Sequence, residues 1–181
     1  MPKLPIVSSG DSRLLPQVFT GGMITSQEID GLTLNGGQLR EVNQRASTDR
    51  VDITATNVGG ESDRYNFAGG DYKFNQDNTA VGLWYSELQD IYDQKLLQLT
   101  HNQAVGAWKL GAVFGYFDSD ENGRQLAGKI DNDLTSLMLS ANTGAHTFRL
   151  GYQHSDGDNP FPFLQETDPA ISSYLQILDF T

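Results

Sequence analysis

The chain has no cysteine among its 181 residues, which excludes a disulfide framework and any thiolate metal site. Positive charge is scarce: 12 Lys+Arg stand against 23 Asp+Glu, a formal net charge of -11. Nucleic-acid binding needs a basic footprint that displaces counterions, so no nucleic-acid partner is expected. Hydrophobic residues make up only 38% of the chain, and no apolar run approaches the ~20 residues of a membrane-spanning helix. Averaged hydropathy would score this chain as water-soluble. The average misleads where strands alternate lipid-facing and lumen-facing residues. The opening Met1-Pro2-Lys3-Leu4-Pro5 carries no apolar signal region, so a secretory peptide has been removed or the chain starts inside a larger protein.

Catalytic and metal motifs are missing too. His101, His146 and His154 are scattered over different turns and strands, without metal-ligand spacing. No G-x-S-x-G elbow occurs. Asp118-Ser119-Asp120-Glu121-Asn122-Gly123 resembles half of a calcium loop, but its twelfth position is Lys129 instead of a bidentate Glu. An enzyme reading therefore has no constellation behind it, and no cofactor or metal is expected.

What is present is glycine and aromatic side chains, arranged with a period of two. In residues 108–117, Trp108, Leu110, Ala112, Phe114 and Tyr116 share one face, with Lys109, Gly111 and Gly115 opposite. In residues 147–153, Phe148, Leu150 and Tyr152 oppose Thr147, Arg149, Gly151 and Gln153. The same habit marks strands at 80–88, 95–101 and 134–141, and more weakly at 15–24, 32–42, 65–74 and 172–181. No amphipathic helix of useful length intervenes. Gly36-Gly37 and Gly69-Gly70 inside strands suggest bulges, or close packing against an inserted loop.

The connections alternate in length. Short polar turns at 25–30, 75–78, 102–106 and 142–146 alternate with longer links at 43–63, 118–131 and 155–171, and one brief link at 89–93. Tight turns at one end and long loops at the other describe an antiparallel up-and-down transmembrane β-barrel. Trp84, Tyr85, Trp108, Tyr116 and Tyr152 fall near strand ends, where interfacial girdles sit. Alternation alone also permits a secreted soluble β-sandwich that binds sugars or peptides through its long loops.

Asp11-Ser12-Arg13-Leu14-Leu15-Pro16-Gln17-Val18-Phe19 resembles the DSRLLPQ-x-F segment of the OprD family of outer-membrane porins. Residues 25–37 are similar to that family's next turn and ascending strand, and Gly157-Asp158-Asn159-Pro160-Phe161 to its GD-x-PF loop opening. The resemblance implies a monomeric barrel of eighteen strands with inward-folded loops forming a narrow eyelet. On that plan the chain starts at the end of the third extracellular loop and covers the sixth to the fourteenth strand. Residues 1–181 would then be one partial barrel domain. Nine strands cannot close such a barrel, and an open edge in lipid leaves backbone groups unpaired, so an internal fragment is expected.

The resemblance further implies a substrate-specific channel in the cell outer membrane, with the bilayer and its lipopolysaccharide leaflet as surroundings. The solutes would be small and carboxylate-bearing, guided by basic side chains on the barrel wall. Arg149 fits that role, because a lipid-facing Arg at mid-strand would cost ~2–4 kcal/mol. It either contacts solute or pairs with a wall carboxylate. Lys109 has the same phase, closer to the periplasmic mouth, where it either joins that row or is a solvated lumenal lysine. Ser12 and Arg13 would close the third loop, where Arg13 lines the eyelet or anchors the loop by bidentate pairing. Asp156, Asp158, Asn159 and Pro160 would open the loop folding inward opposite, giving an acidic loop facing a basic wall, or else form an ordinary polar turn.

Overall fold

The structure, a computed structural model, describes residues 2–10, 14–76 and 78–167. Eight long strands form an antiparallel meander: β1 (Val18–Ser26), β2 (Leu32–Asn43), β3 (Tyr65–Phe74), β4 (Thr79–Leu88), β5 (Tyr92–Val105), β6 (Trp108–Glu121), β7 (Asp131–Thr143) and β8 (His146–Gly157). The short strand Arg50–Val51 pairs with the end of β2 and makes the sheet nine-stranded. Among the described residues, β1 and β8 are the edges and do not pair with each other. The strand expected at 172–181 lies outside the described residues.

Register separates two faces. Between β6 and β7, Ala112 opposes Leu139 and Phe114 opposes Leu137 on one face, while Gly111–Ser140 and Gly115–Ser136 pair on the other. From β7 to β8, Leu139–Leu150 and Ala141–Phe148 continue the apolar face, and Ser136–Gln153 and Ser140–Arg149 the polar one. A slip of one residue would exchange the two sets, so the pattern fixes the register. At one end the turns are tight. Gly106 and Gly144, with φ of 60° and 55°, open two-residue connections that a β-carbon would strain. The other end carries the excursions 44–64, 122–130 and 158–167, and one tight turn at 89–91.

The strands outrun the hydrophobic alternation at that second end. β5 begins at Tyr92, β6 continues to Glu121 and β7 starts at Asp131. The half calcium loop is thus the end of a ladder: Asp118 opposes Lys95 across β5 and β6, with Lys95 Nζ 3.0 Å from Asp118 Oδ2 and 3.5 Å from Asp120 Oδ2. Beside them Tyr116 donates a 2.7 Å hydrogen bond to Asp133. Backbone pairing takes no account of side-chain polarity, whereas alternation stops where the apolar band stops.

One face is bare and the other covered. Leu83, Leu110, Leu139, Phe148 and Leu150 lie exposed on the bare face, Leu150 at 69%. On the covered face Ile6, Val7, Ile53, Ala55 and Leu164, all from segments outside the long strands, are buried with Tyr65, Leu88, Tyr92, Leu96, Phe117 and Leu134 of the wall. The core therefore sits between the sheet and its own loops. A β-sandwich instead buries its apolar strand face against a second sheet, and none of the described residues covers this one.

Two expectations change. Tyr85, Tyr116 and Tyr152 lie on the bare face with Trp108, but Trp84 is one residue out of phase with that girdle and only 4% exposed on the covered face. The glycine pairs mark neither a bulge nor an inserted loop. A β-carbon on Gly69 would meet the Trp84 indole at 2.6 Å, and one on Gly37 the Phe67 ring at 2.7 Å. These glycines seat aromatic rings from the adjacent strand. The ladder shifts elsewhere, between Thr20 and Gly21.

Candidate functional site

The covered face has two zones. Toward the long-loop end, excursions fill it. Phe163 and Leu164 pair with Thr56 and Ala55, joining the segment after β8 to the 44–64 excursion. Gln165 N donates to Thr54 O at 2.9 Å, and Arg45 and Glu166 form an ion pair. Phe161 stands edge-on to Phe117 of the wall, ring centroids 5.1 Å apart. The 2–10 segment joins the same body, with Tyr65 Oη donating to Ile6 O at 3.4 Å.

Toward the tight-turn end the wall is open and its residues are mostly small or polar, with Val113 and Met138 as apolar exceptions. Thr33, Asp71, Gly82, Gln98, Gly115, Ser136 and Gln153 follow one another across the strands in register. Among the described residues, Asp71, Lys73, Lys109 and Arg149 are the ionisable side chains of this open zone. The Trp84 indole N–H donates to Asp71 Oδ1 at 3.5 Å. Arg149 lies opposite Ser140, which faces Gly111, and Lys109 lies opposite Asn142. Both cations are exposed, and neither joins an ion pair with a described residue.

The other anticipated residues are placed differently from one another. Ser12 and Arg13 lie outside the described residues. Asp156 belongs to β8, where it opposes Asp133 on the bare face, so it does not enter the inward loop. Asp158 stays at the rim, 2.9 Å from Lys129. The hydrogen bond from Lys129 holds the Asp158 carboxyl below its ordinary range, and the same bond raises the Lys129 ammonium. At the inward turn Asn159 O accepts from Asn132 at 2.7 Å, and Pro160 is exposed. Phe161 is the first side chain to enter the core. The acids expected to oppose the basic wall thus remain outside, because each has a partner or a strand phase that keeps it there. The inward segment is neutral up to Glu166.

Asp71, Lys73, Gln94 and Asn132 escaped the sequence reading. In residues 65–74 both alternate sets mix aromatic and polar types, so composition leaves the phase open; pairing with β4 decides it.

The family described as outer membrane porin, OprD family, matches residues 1–181. The chain belongs to the OprD family.

Among its relatives is the porin-like protein GalP of Pseudomonas putida, 44% identical over 159 residues, covering 87% of this chain and 39% of that protein. Porin D of Pseudomonas aeruginosa is 34% identical over 165 residues, covering 90% and 37%. The chain therefore spans less than half the length of these curated relatives. Pseudomonas aeruginosa OccK9 (OpdG) superposes with a TM-score of 0.92 at 42% identity, over 99% of this chain and 47% of that one. OccK2 (OpdF), solved in complex with glucuronate, superposes with a TM-score of 0.89 at 44% identity, over 92% and 46%. In an OprD-family barrel of the outer membrane the bare apolar face meets lipid, and the covered face is the lumenal wall.

Proposed function

We propose that the porin to which this stretch of wall belongs is a monomeric barrel that passes small carboxylate-bearing solutes by diffusion, amino acids, small peptides or organic acids among them. It performs no bond chemistry. The observation that carries this reading is the pair Lys109 and Arg149: lumenal in phase, exposed, and without a described carboxylate partner. An unpaired guanidinium keeps its planar donor fork for a bidentate carboxylate, and rings of charge set selectivity in a pore. Relatives solved with glucuronate and with vanillate, both carboxylates, support the same class.

Arg149→Gln and Lys109→Gln in the full-length porin test it by reversal potential across a salt gradient in a planar bilayer. Each variant should move selectivity toward cations, and the pair should lower carboxylate flux several-fold at ~0.1 M salt, where the Debye length is ~10 Å. Unchanged selectivity and flux in the double variant would remove both residues from the pathway.

A further inference from the structure

The segment that enters the lumen after β8 carries no charge between Asn159 and Gln165, so ion pairing does not hold that stretch in place. Its backbone carbonyls point to what does. Asn159 O accepts from Asn132 Nδ2 at 2.7 Å. Phe161 O accepts from Asn57 Nδ2 at 2.8 Å, and Pro162 O from Gln94 Nε2 at 3.2 Å. Gln165 O accepts from Gln17 Nε2 at 2.6 Å. Four side-chain carboxamides, from β7, the 44–64 excursion, β5 and the position just before β1, grip one short segment along its length.

Burial makes these bonds matter. Gln94 and Asn132 are each 2% exposed and Gln17 is 0% exposed. A buried carbonyl deprived of its donor bears its desolvation cost in full, whereas one reaching water does not. The segment's easiest escape from that cost is to move into the aqueous lumen. Gln94 and Asn132 are themselves fixed from the wall: Gln94 also donates to Ser119 Oγ at 3.0 Å, and Asn132 to Ser155 Oγ at 2.9 Å.

We infer that Gln94 and Asn132, assisted by Asn57 and Gln17, are positioning residues that set the bore of the channel by holding residues 159–165 against the lumenal wall. This rests on the channel reading above, but not on which ions the channel prefers. Carboxamides do not titrate, so the bore they set is the same in acid and in alkali. The rim bridge Lys129–Asp158 cannot offer that independence.

The test is single-channel conductance and solute cut-off of the full-length porin carrying Gln94→Met, Asn132→Leu, or both. Asn66→Ala is the control, since it removes a carboxamide of the bare face, hydrogen bonded to Gln38 and Glu87. Each clamp variant should change conductance by twofold or more in the same proportion at pH 5 and pH 8, and change the largest neutral oligosaccharide admitted. Asn66→Ala should match the parent. Heat-modifiable electrophoretic mobility reports that the barrel is folded, and if the double variant does not fold the two single variants decide. Parental conductance and cut-off in folded Gln94→Met and Asn132→Leu would overturn the inference, as would an equal change in Asn66→Ala. Failure of the carboxylate reading would appear instead as unaltered reversal potentials in Arg149→Gln, a separate measurement.

Discussion

Phe117→Ala should destabilise the full-length porin by about 3–5 kcal/mol, the usual cost of emptying a buried phenylalanine site. Phe117 is 1% exposed and lies on the lumenal face, where its neighbours in phase are Gly115 and Ser119. Such a ring has no place in an open aqueous wall. It is buried in the cluster that loop residues form with the wall; within it Phe161 stands edge-on at 5.1 Å, and such a pair contributes ~0.5–1.5 kcal/mol beyond its area. Removing it should both lower the urea midpoint of the porin refolded in phospholipid vesicles and speed proteolysis near Phe161. A loss below ~1 kcal/mol would mean that the loop, rather than bulk water, is a poor description of what covers Phe117.

Leu150→Arg and Gly151→Arg should differ by ~2–4 kcal/mol although the positions are adjacent, because a lipid-facing Arg near the bilayer midplane carries that penalty and a lumenal one does not. Leu150 is 69% exposed on the bare face. Gly151 opposes Met138 on the other face, and a β-carbon there would meet nothing within 4 Å. Equilibrium unfolding in vesicles measures the difference. Equal stabilities of the two variants would contradict the assignment of faces.

How much of this was legible in the sequence depended on where water and lipid impose opposite demands. In β8 and most of β6 the two faces separate, Leu110 and Phe114 against Gly111 and Gly115, with Val113 an exception, and Phe148 and Leu150 against Arg149 and Gly151. There the alternation and the lumenal phase of Lys109 and Arg149 can be read directly. It fails where loops return to the wall. Phe117 and Trp84 are aromatic on the lumenal side because they are covered by loop residues or seated on glycine, and a sequence pattern holds no record of either contact. It fails again at the outer rim, where Asp118 and Asp120 read as loop yet continue the ladder with Lys95. The inward turn was anticipated from Asn159 and Pro160, but the roles of Asp156 and Asp158 were not separable from it. Strand phase puts Asp156 outside, and Lys129 keeps Asp158 at the rim. Gln94 and Asn132 are ordinary amides in sequence; only the carbonyls they reach give them meaning.

The most direct measurement of the wall's two-sidedness is cysteine labelling along β8. The chain contains no cysteine of its own, so a thiol placed at any of Phe148, Arg149, Leu150, Gly151, Tyr152 or Gln153 is the sole one in this stretch. With the porin in a lipid bilayer and a charged, membrane-impermeant thiol reagent, labelling at Arg149, Gly151 and Gln153 with a stepwise fall in conductance is the expected result, and Phe148, Leu150 and Tyr152 should stay protected. Labelling at Phe148, Leu150 and Tyr152, or equal labelling at all six positions, would contradict a transmembrane strand whose polar face lines the pore.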